Sequence, residues 1–184
     1  MSEEFITNDA LATKKIGYEF AQKLTAGDII CLYGDLGSGK TTFTQGLAQG
    51  LGLSQRIISP TFIIVRKYNI GYSSSEAQAK SRSHPGEATT SIGSQKKDSI
   101  GRQGDLQNDK IICFYHIDLY RTETEKELEG IGLGEILQDK NAVVVIEWAE
   151  KLGALLPEKR IEIKLGQNAD ESHTLRIDSY GTSN

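Results

Sequence analysis

Only three prolines, two cysteines and one tryptophan occur in the 184 residues. Cys31 and Cys113 stand far apart and neither belongs to a pair with metal-ligand spacing, which excludes a cysteine-based metal centre. Both fall inside apolar runs and read as small core residues of a protein in a reducing cytoplasm. No apolar run approaches the roughly 18 residues of a membrane span, and no charged-then-apolar leader opens the sequence. The expectation is a cytoplasmic protein without membrane attachment. Neither sign of charge dominates: 21 basic against 25 acidic residues leave a net charge of −4, which provides no general attraction to nucleic acid. No internal repeat is present. The length suits one domain with a substantial core.

Glycine, by contrast, is plentiful, and three of the 19 lie in Gly34-Asp35-Leu36-Gly37-Ser38-Gly39-Lys40-Thr41. This stretch fits G-x-x-x-x-G-K-[ST] at every fixed position. The glycines let the backbone turn tightly and approach a phosphate. Lys40 places a compact positive charge on the β- and γ-phosphates, and Thr41 offers a hydroxyl to a phosphate-bound magnesium ion. The flanks agree with the motif. Ile29-Ile30-Cys31-Leu32-Tyr33 reads as a buried parallel strand, and Thr42 to Leu51 as a helix with Phe43, Leu47 and Ala48 on one face.

Before the loop, Phe5-Ile6 suggests a short edge strand. A helix capped by Thr7, Asn8 or Asp9 is expected to run to about Thr25, burying Ala12, Ile16, Phe20 and Leu24 and ending at Gly27. After the loop, Ser59-Pro60-Thr61-Phe62 leads into an expected strand over Ile63-Ile64-Val65. A threonine here is either a sensor of the γ-phosphate or a turn residue. Residues 111–115 and 142–146 read as further buried strands, and 122–137 as two short helices broken by Gly130 and Gly132. Residues 160–165 and 174–177 alternate like half-exposed antiparallel strands, and 179–184 are expected to fray.

Residues 71–110 differ in kind. Seven of these 40 residues are apolar and eight are serine. Such a segment cannot bury enough surface to offset its ordering entropy. It is expected to be a disordered insertion within one domain spanning 1–184.

Two acids at the ends of apolar strands are candidates for the chemistry that accompanies a phosphate loop: Asp118 and Glu147. One would help bind magnesium and the other would position or deprotonate the attacking water. The sequence runs leave open which is which. His116 reads as a hydrogen-bonded strand-end residue. Trp148, beside Glu147, either shields the nucleotide or packs in the core.

Together these motifs resemble the TsaE family, the ATPase of bacterial tRNA threonylcarbamoyladenosine synthesis. The resemblance rests on residues 34–42, Ser59-Pro60-Thr61-Phe62, His116-Ile117-Asp118-Leu119-Tyr120-Arg121 and Ile146-Glu147-Trp148, in that order. The stretch from Thr13 to Gly17, and Glu127-Leu128-Glu129 with Gly132, also match. It implies a P-loop NTPase fold of the α/β class, with a mainly parallel central sheet flanked by helices and antiparallel C-terminal strands. It implies ATP and magnesium as ligands. The expected nucleotide contacts are Asp35, Leu36, Gly37, Ser38, Gly39, Lys40, Thr41 and Thr42, joined by Thr13 and Trp148. Thr41 and Glu147 match metal-associated positions, and Lys40, Asp118 and Glu147 the catalytic ones, with Asp118 as the catalytic or water-positioning acid. Thr61 matches a switch-like threonine. The implied partners are TsaB and TsaD, which carry out the transfer to tRNA, so tRNA is reached only indirectly. Compact family members lack the insertion at 71–110, and Arg176 sits out of step with the family's C-terminal arginine segment. A small-molecule kinase would keep the same loop but needs an arginine-bearing lid, and a GTP switch would need N-K-x-D, which is absent. A nucleotide-gated binding subunit with incidental hydrolysis is the non-enzymatic alternative.

Overall fold

Three apolar runs, 29–33, 113–118 and 142–147, are buried almost without interruption, as strands covered on both faces must be. In the computed structural model, which describes residues 2–70 and 111–181, they form the middle of a seven-stranded sheet. The strands are β1 (Ser2–Thr7), β2 (Ile29–Tyr33), β3 (Val65–Asn69), β4 (Cys113–Asp118), β5 (Ala142–Glu147), β6 (Arg160–Gln167) and β7 (His173–Tyr180). Their order is β1-β7-β6-β2-β5-β4-β3. The four central strands, β6, β2, β5 and β4, run parallel, while β3, β7 and β1 pair antiparallel at the two sides. The mainly parallel α/β sheet is therefore present, and β7 supplies the antiparallel C-terminal pairing. β6 is antiparallel only toward β7; on its other side it lies parallel to β2. The expected insertion at 71–110 lies outside the described residues.

The helices are α1 (Ala10–Ala21), α2 (Lys40–Gly50), α3 (Glu125–Gly130) and α4 (Leu133–Leu137), with a 3-10 helix at Ala149–Leu155. Alternate residues of the central strands serve two cores. Ile30, Leu32, Val143 and Val145 meet Phe20, Phe43 and Leu47 of α1 and α2. Ile29, Cys31, Val144 and Ile146 meet Leu128, Leu133 and Leu152 on the opposite face. Each fully buried Leu or Phe here contributes about 1.5–3 kcal/mol. Cys31 and Cys113 are both buried. Burial pushes the Cys31 thiol up to about 12 and raises that of Cys113, which suits inert core residues. Among the described residues no helix is long and apolar enough to cross a membrane.

Four local expectations need correction. α1 is capped by Asp9, whose Oδ1 accepts the Ala12 amide at 2.7 Å, but it ends at Ala21 rather than Thr25. Its buried stripe is Thr13, Gly17, Phe20 and Ala21. The shift follows from glycine: Gly17 lies against the Phe43 carbonyl and Gly46 against the Lys14 carbonyl, with no room for a Cβ at either. The helices thus meet backbone to backbone and α1 rolls its small residues inward. Gly27 has a left-handed φ of 89° but serves the entry to β2, donating its amide to the Ala142 carbonyl at 2.7 Å. Ile63 and Ile64 are not strand. The Pro60 carbonyl accepts both their amides, at 2.8 and 2.6 Å, closing a turn that puts Ile64 at φ 65°, and β3 starts only at Val65. Finally, Ser179 and Tyr180 do not fray; they pair with Ile161 and Arg160.

Candidate functional site

Parallel pairing brings three strand ends together. Leu32 of β2 pairs with Glu147 of β5, and Glu147 with Asp118 of β4. The glycine loop leaves β2 at this carboxyl edge, where open α/β sheets bind ligands. Its entry is close-packed: Gly34 has φ 134°, and a Cβ there would strike the Leu165 carbonyl of β6. α2 follows without a side-chain cap. Its first intrahelical bond is Phe43 N–H to the Gly39 carbonyl, at 2.9 Å. The amides of its first turn therefore face outward with the positive end of the helix dipole, as an anion site requires.

Lys40 is buried. Its Nζ donates to the carbonyls of Gly34 at 2.5 Å and Asp35 at 2.8 Å, and stands 4.0 Å from the centre of the Trp148 ring. Burial holds its pKa below the ordinary lysine value, against the opposing pull of Glu147, Glu150, Asp118 and Asp35. Two neutral carbonyls and a ring face thus hold a desolvated cation. A phosphate oxygen would offer the negative charge that they lack.

The two acids have different company. Glu147 is 2% exposed. Its Oε2 accepts the Thr41 hydroxyl at 2.9 Å, and its Oε1 lies 2.7 Å from His116 Nε2. Asp118 is also buried, with other partners. Its Oδ2 accepts the hydroxyls of both Ser59 and Thr61, and its Oδ1 the Tyr120 amide at 2.9 Å. Ser59 and Thr61 are themselves 2.7 Å apart. Asp118 therefore fastens the Ser59-Pro60-Thr61 turn to the end of β4, while Glu147 fastens to the phosphate loop.

Trp148 closes one wall. The strand ends at Glu147, and Trp148 adopts φ 62°, ψ 44° before the 3-10 helix begins. That left-handed step lets neighbours on a strand end both address one cleft, where a regular strand would send them to opposite faces. The Tyr120 ring packs at 5.0 Å from Trp148, and Lys151 Nζ secures the following turn by donating to the Tyr120 and Thr122 carbonyls. Arg121 lies over the Phe62 ring at 4.2 Å.

The resulting cleft holds about 360 Å³. Leu36, Gly37, Gly39, Lys40, Thr41 and Thr42 line its floor, and Asp118, Glu147 and Trp148 its walls. Asp35 and Ser38 do not line it. Asp35 contributes its carbonyl to Lys40, and the Ser38 carbonyl accepts from His173 Nδ1 at 3.0 Å. Thr13 is buried behind the loop, its hydroxyl 2.8 Å from that of Thr7, and its methyl backs Gly39. Sequence reasoning missed His173, which nothing local signals. His116 is, as expected, a hydrogen-bonded residue near a strand end, on one face with Asp118.

The family model for the threonylcarbamoyl adenosine biosynthesis protein TsaE matches residues 7–77 and 104–175. A Bacillus subtilis protein described as tRNA threonylcarbamoyladenosine biosynthesis protein TsaE is 30% identical over 169 residues, 92% of this chain and 80% of that one. A Synechocystis protein of the same description is 33% identical over 157 residues, 84% of this chain and 74% of its own. Among solved structures, Bacillus subtilis YdiB superposes with a TM-score of 0.65 at 26% identity, covering 98% of this chain and 87% of that chain.

Proposed function

The chain belongs to the TsaE family of threonylcarbamoyl adenosine biosynthesis, and from that premise we propose that it is a magnesium-dependent ATPase supporting TsaB and TsaD in the modification of tRNA adenosine beside the anticodon. The observation that carries the reading is the Thr41–Glu147 hydrogen bond at 2.9 Å, which ties the phosphate loop to a strand-end acid in the cleft that holds Lys40.

The donor set fits a hard cation. Thr41 and Glu147 offer oxygen, and Asp118 offers a second carboxylate nearby. Among the described residues no three His, Cys, Asp or Glu side chains converge as a ready-made metal site. That suits magnesium, which keeps waters and takes phosphate oxygens rather than filling an all-protein cage. When bound, the ion would neutralise phosphate charge as the bond to the leaving group breaks.

The chain's own residues then divide the work. The outward amides of α2 and the Lys40 ammonium bind the phosphates. Thr41 and Glu147 would hold the metal. Asp118 acts as the water-positioning acid through Ser59 and Thr61, since three hydrogen bonds already engage its carboxylate. Water attacks the γ-phosphorus, the bond to the β-phosphate oxygen breaks, and ADP and phosphate leave. Leu36, which lines the cleft, and Phe62, next to the cleft-lining Thr61, are 75% and 82% exposed and present apolar surface suited to a protein partner.

Turnover of ATP by the purified chain, alone and with TsaB and TsaD, tests this reading. Slow turnover alone and faster turnover in the assembly are expected, because partners can complete such sites. No turnover in either condition overturns the ATPase reading, and equal rates overturn partner activation. Glu147→Gln keeps the size but loses the charge. It should weaken metal-dependent turnover by about 10–100-fold. Nucleotide binding in EDTA, followed by the fluorescence of Trp148, should change little. Full activity of Glu147→Gln would pass the metal role to Asp118.

A further inference from the structure

We propose that His116 is a positioning residue for the metal site: its Nε2–H holds Glu147 so that the Thr41 hydroxyl points its lone pairs outward. The inference rests on the metal reading above.

His116 has no solvent exposure, and among the described residues its Nδ1 finds no hydrogen-bond partner. Packing alone gives no reason for an imidazole here. The flanking residues of the same strand face are Phe114 and Asp118, the cross-strand partners are Val145 on β5 and Arg66 on β3, and an apolar side chain would bury no orphaned nitrogen. What the imidazole does provide is a donor. A carboxylate only accepts, so the proton on the 2.7 Å contact with Glu147 Oε1 belongs to Nε2.

Glu147 is thereby held at both oxygens, by His116 on Oε1 and by Thr41 on Oε2. Two anchors from different elements fix the rotation of the carboxylate, whereas one would leave it free to turn. With Oε2 fixed, the Thr41 O–H must point at Glu147, and its lone pairs are left for a cation. The arrangement is that of an outer-shell group orienting a metal site, whose loss costs about 10–100-fold in metal affinity.

The test compares Mn²⁺ binding, by electron paramagnetic resonance in the presence of ADP, with ADP binding in EDTA by Trp148 fluorescence. His116→Met removes the donor and fills the space adaptably. It should lower Mn²⁺ affinity about tenfold or more while leaving ADP binding in EDTA near the wild-type value. His116→Gln places an amide N–H at about the reach of Nε2 and should recover most of the affinity. His116→Asn reaches only as far as Nδ1 and should not, which keeps the test available if the Met variant does not fold. Unchanged Mn²⁺ affinity in a folded Met or Asn variant overturns the proposal. So does a Gln variant as weak as the other two, or a parallel loss of ADP binding in EDTA. A wild-type protein that binds ADP but no Mn²⁺ overturns the metal reading itself, and this inference with it.

Discussion

A Lys40→Ala protein is expected to fold normally and to lose ATP turnover by roughly 10²–10³-fold, the scale for removing one preorganised electrostatic group. The loss follows from position: among the described residues Lys40 is the one ammonium lining the cleft, and it is held there by groups that carry no formal charge. The preserved fold follows from the same facts. Burial disfavours the charged lysine, so removing it relieves a desolvation cost. Lys40 itself lines the cleft, so water entering the place of its ammonium can take over the bonds to the Gly34 and Asp35 carbonyls. Alanine also suits the first position of α2. Phosphate release and a thermal melt measure the two halves. Wild-type turnover by a well-folded Lys40→Ala protein would overturn the phosphate-loop reading, and a collapsed melting temperature would show that Lys40 is structural.

Gly46→Ala is expected to have the largest effect on stability, though it touches no part of the cleft. A Cβ at Gly46 would run into the Lys14 carbonyl oxygen, and behind it the Lys14 carbonyl carbon and Cα. These are backbone atoms in the middle of α1, which cannot swing aside as a side chain can. The helices must separate, which loosens the Phe20–Phe43 contact, 6.1 Å between ring centres. The cost should be about 3 kcal/mol, less up to about 1 kcal/mol returned by alanine's better helix propensity. For a chain of this length the net loss lowers the melting temperature by roughly 4–12 °C. Gly134→Ala is the control. Nothing lies within 4 Å of its Cβ position in α4, so propensity alone should act and stabilise by about 0.5–1 kcal/mol. If the two variants melt alike, the close approach of α1 and α2 is not what holds them. Because α2 begins with Lys40 and Thr41, the Gly46 variant should also bind nucleotide less tightly.

Much of the cleft was legible because its parts are local. A phosphate loop needs glycines, a lysine and a threonine at fixed spacing, and a strand and a helix beside it. All of that is written within residues 29–50. Asp118 and Glu147 were legible as acids ending apolar strands, but the hydrogen-bond company of each was not. It depends on which hydroxyls reach them across 106 residues from Thr41 or 59 from Ser59. The strand over Ile63-Ile64 was misread for the opposite reason: β-branched residues signal extended chain, and the two bonds to the Pro60 carbonyl override that propensity. The stripe on α1 was misread because hydrophobic periodicity weighs large side chains, whereas here three glycines, Gly17, Gly46 and Gly50, set the approach.

By itself, the sequence determined most of the elements and the glycine loop with Lys40 and Thr41 behind it, because these depend on neighbours along the chain. Tertiary structure alone decided that β6 runs parallel to β2 and that Thr13 backs the loop instead of lining the cleft. It alone placed His116 Nε2 against Glu147. Each of these is set by pairing between segments far apart in sequence, and no local pattern records which oxygen a buried donor will face.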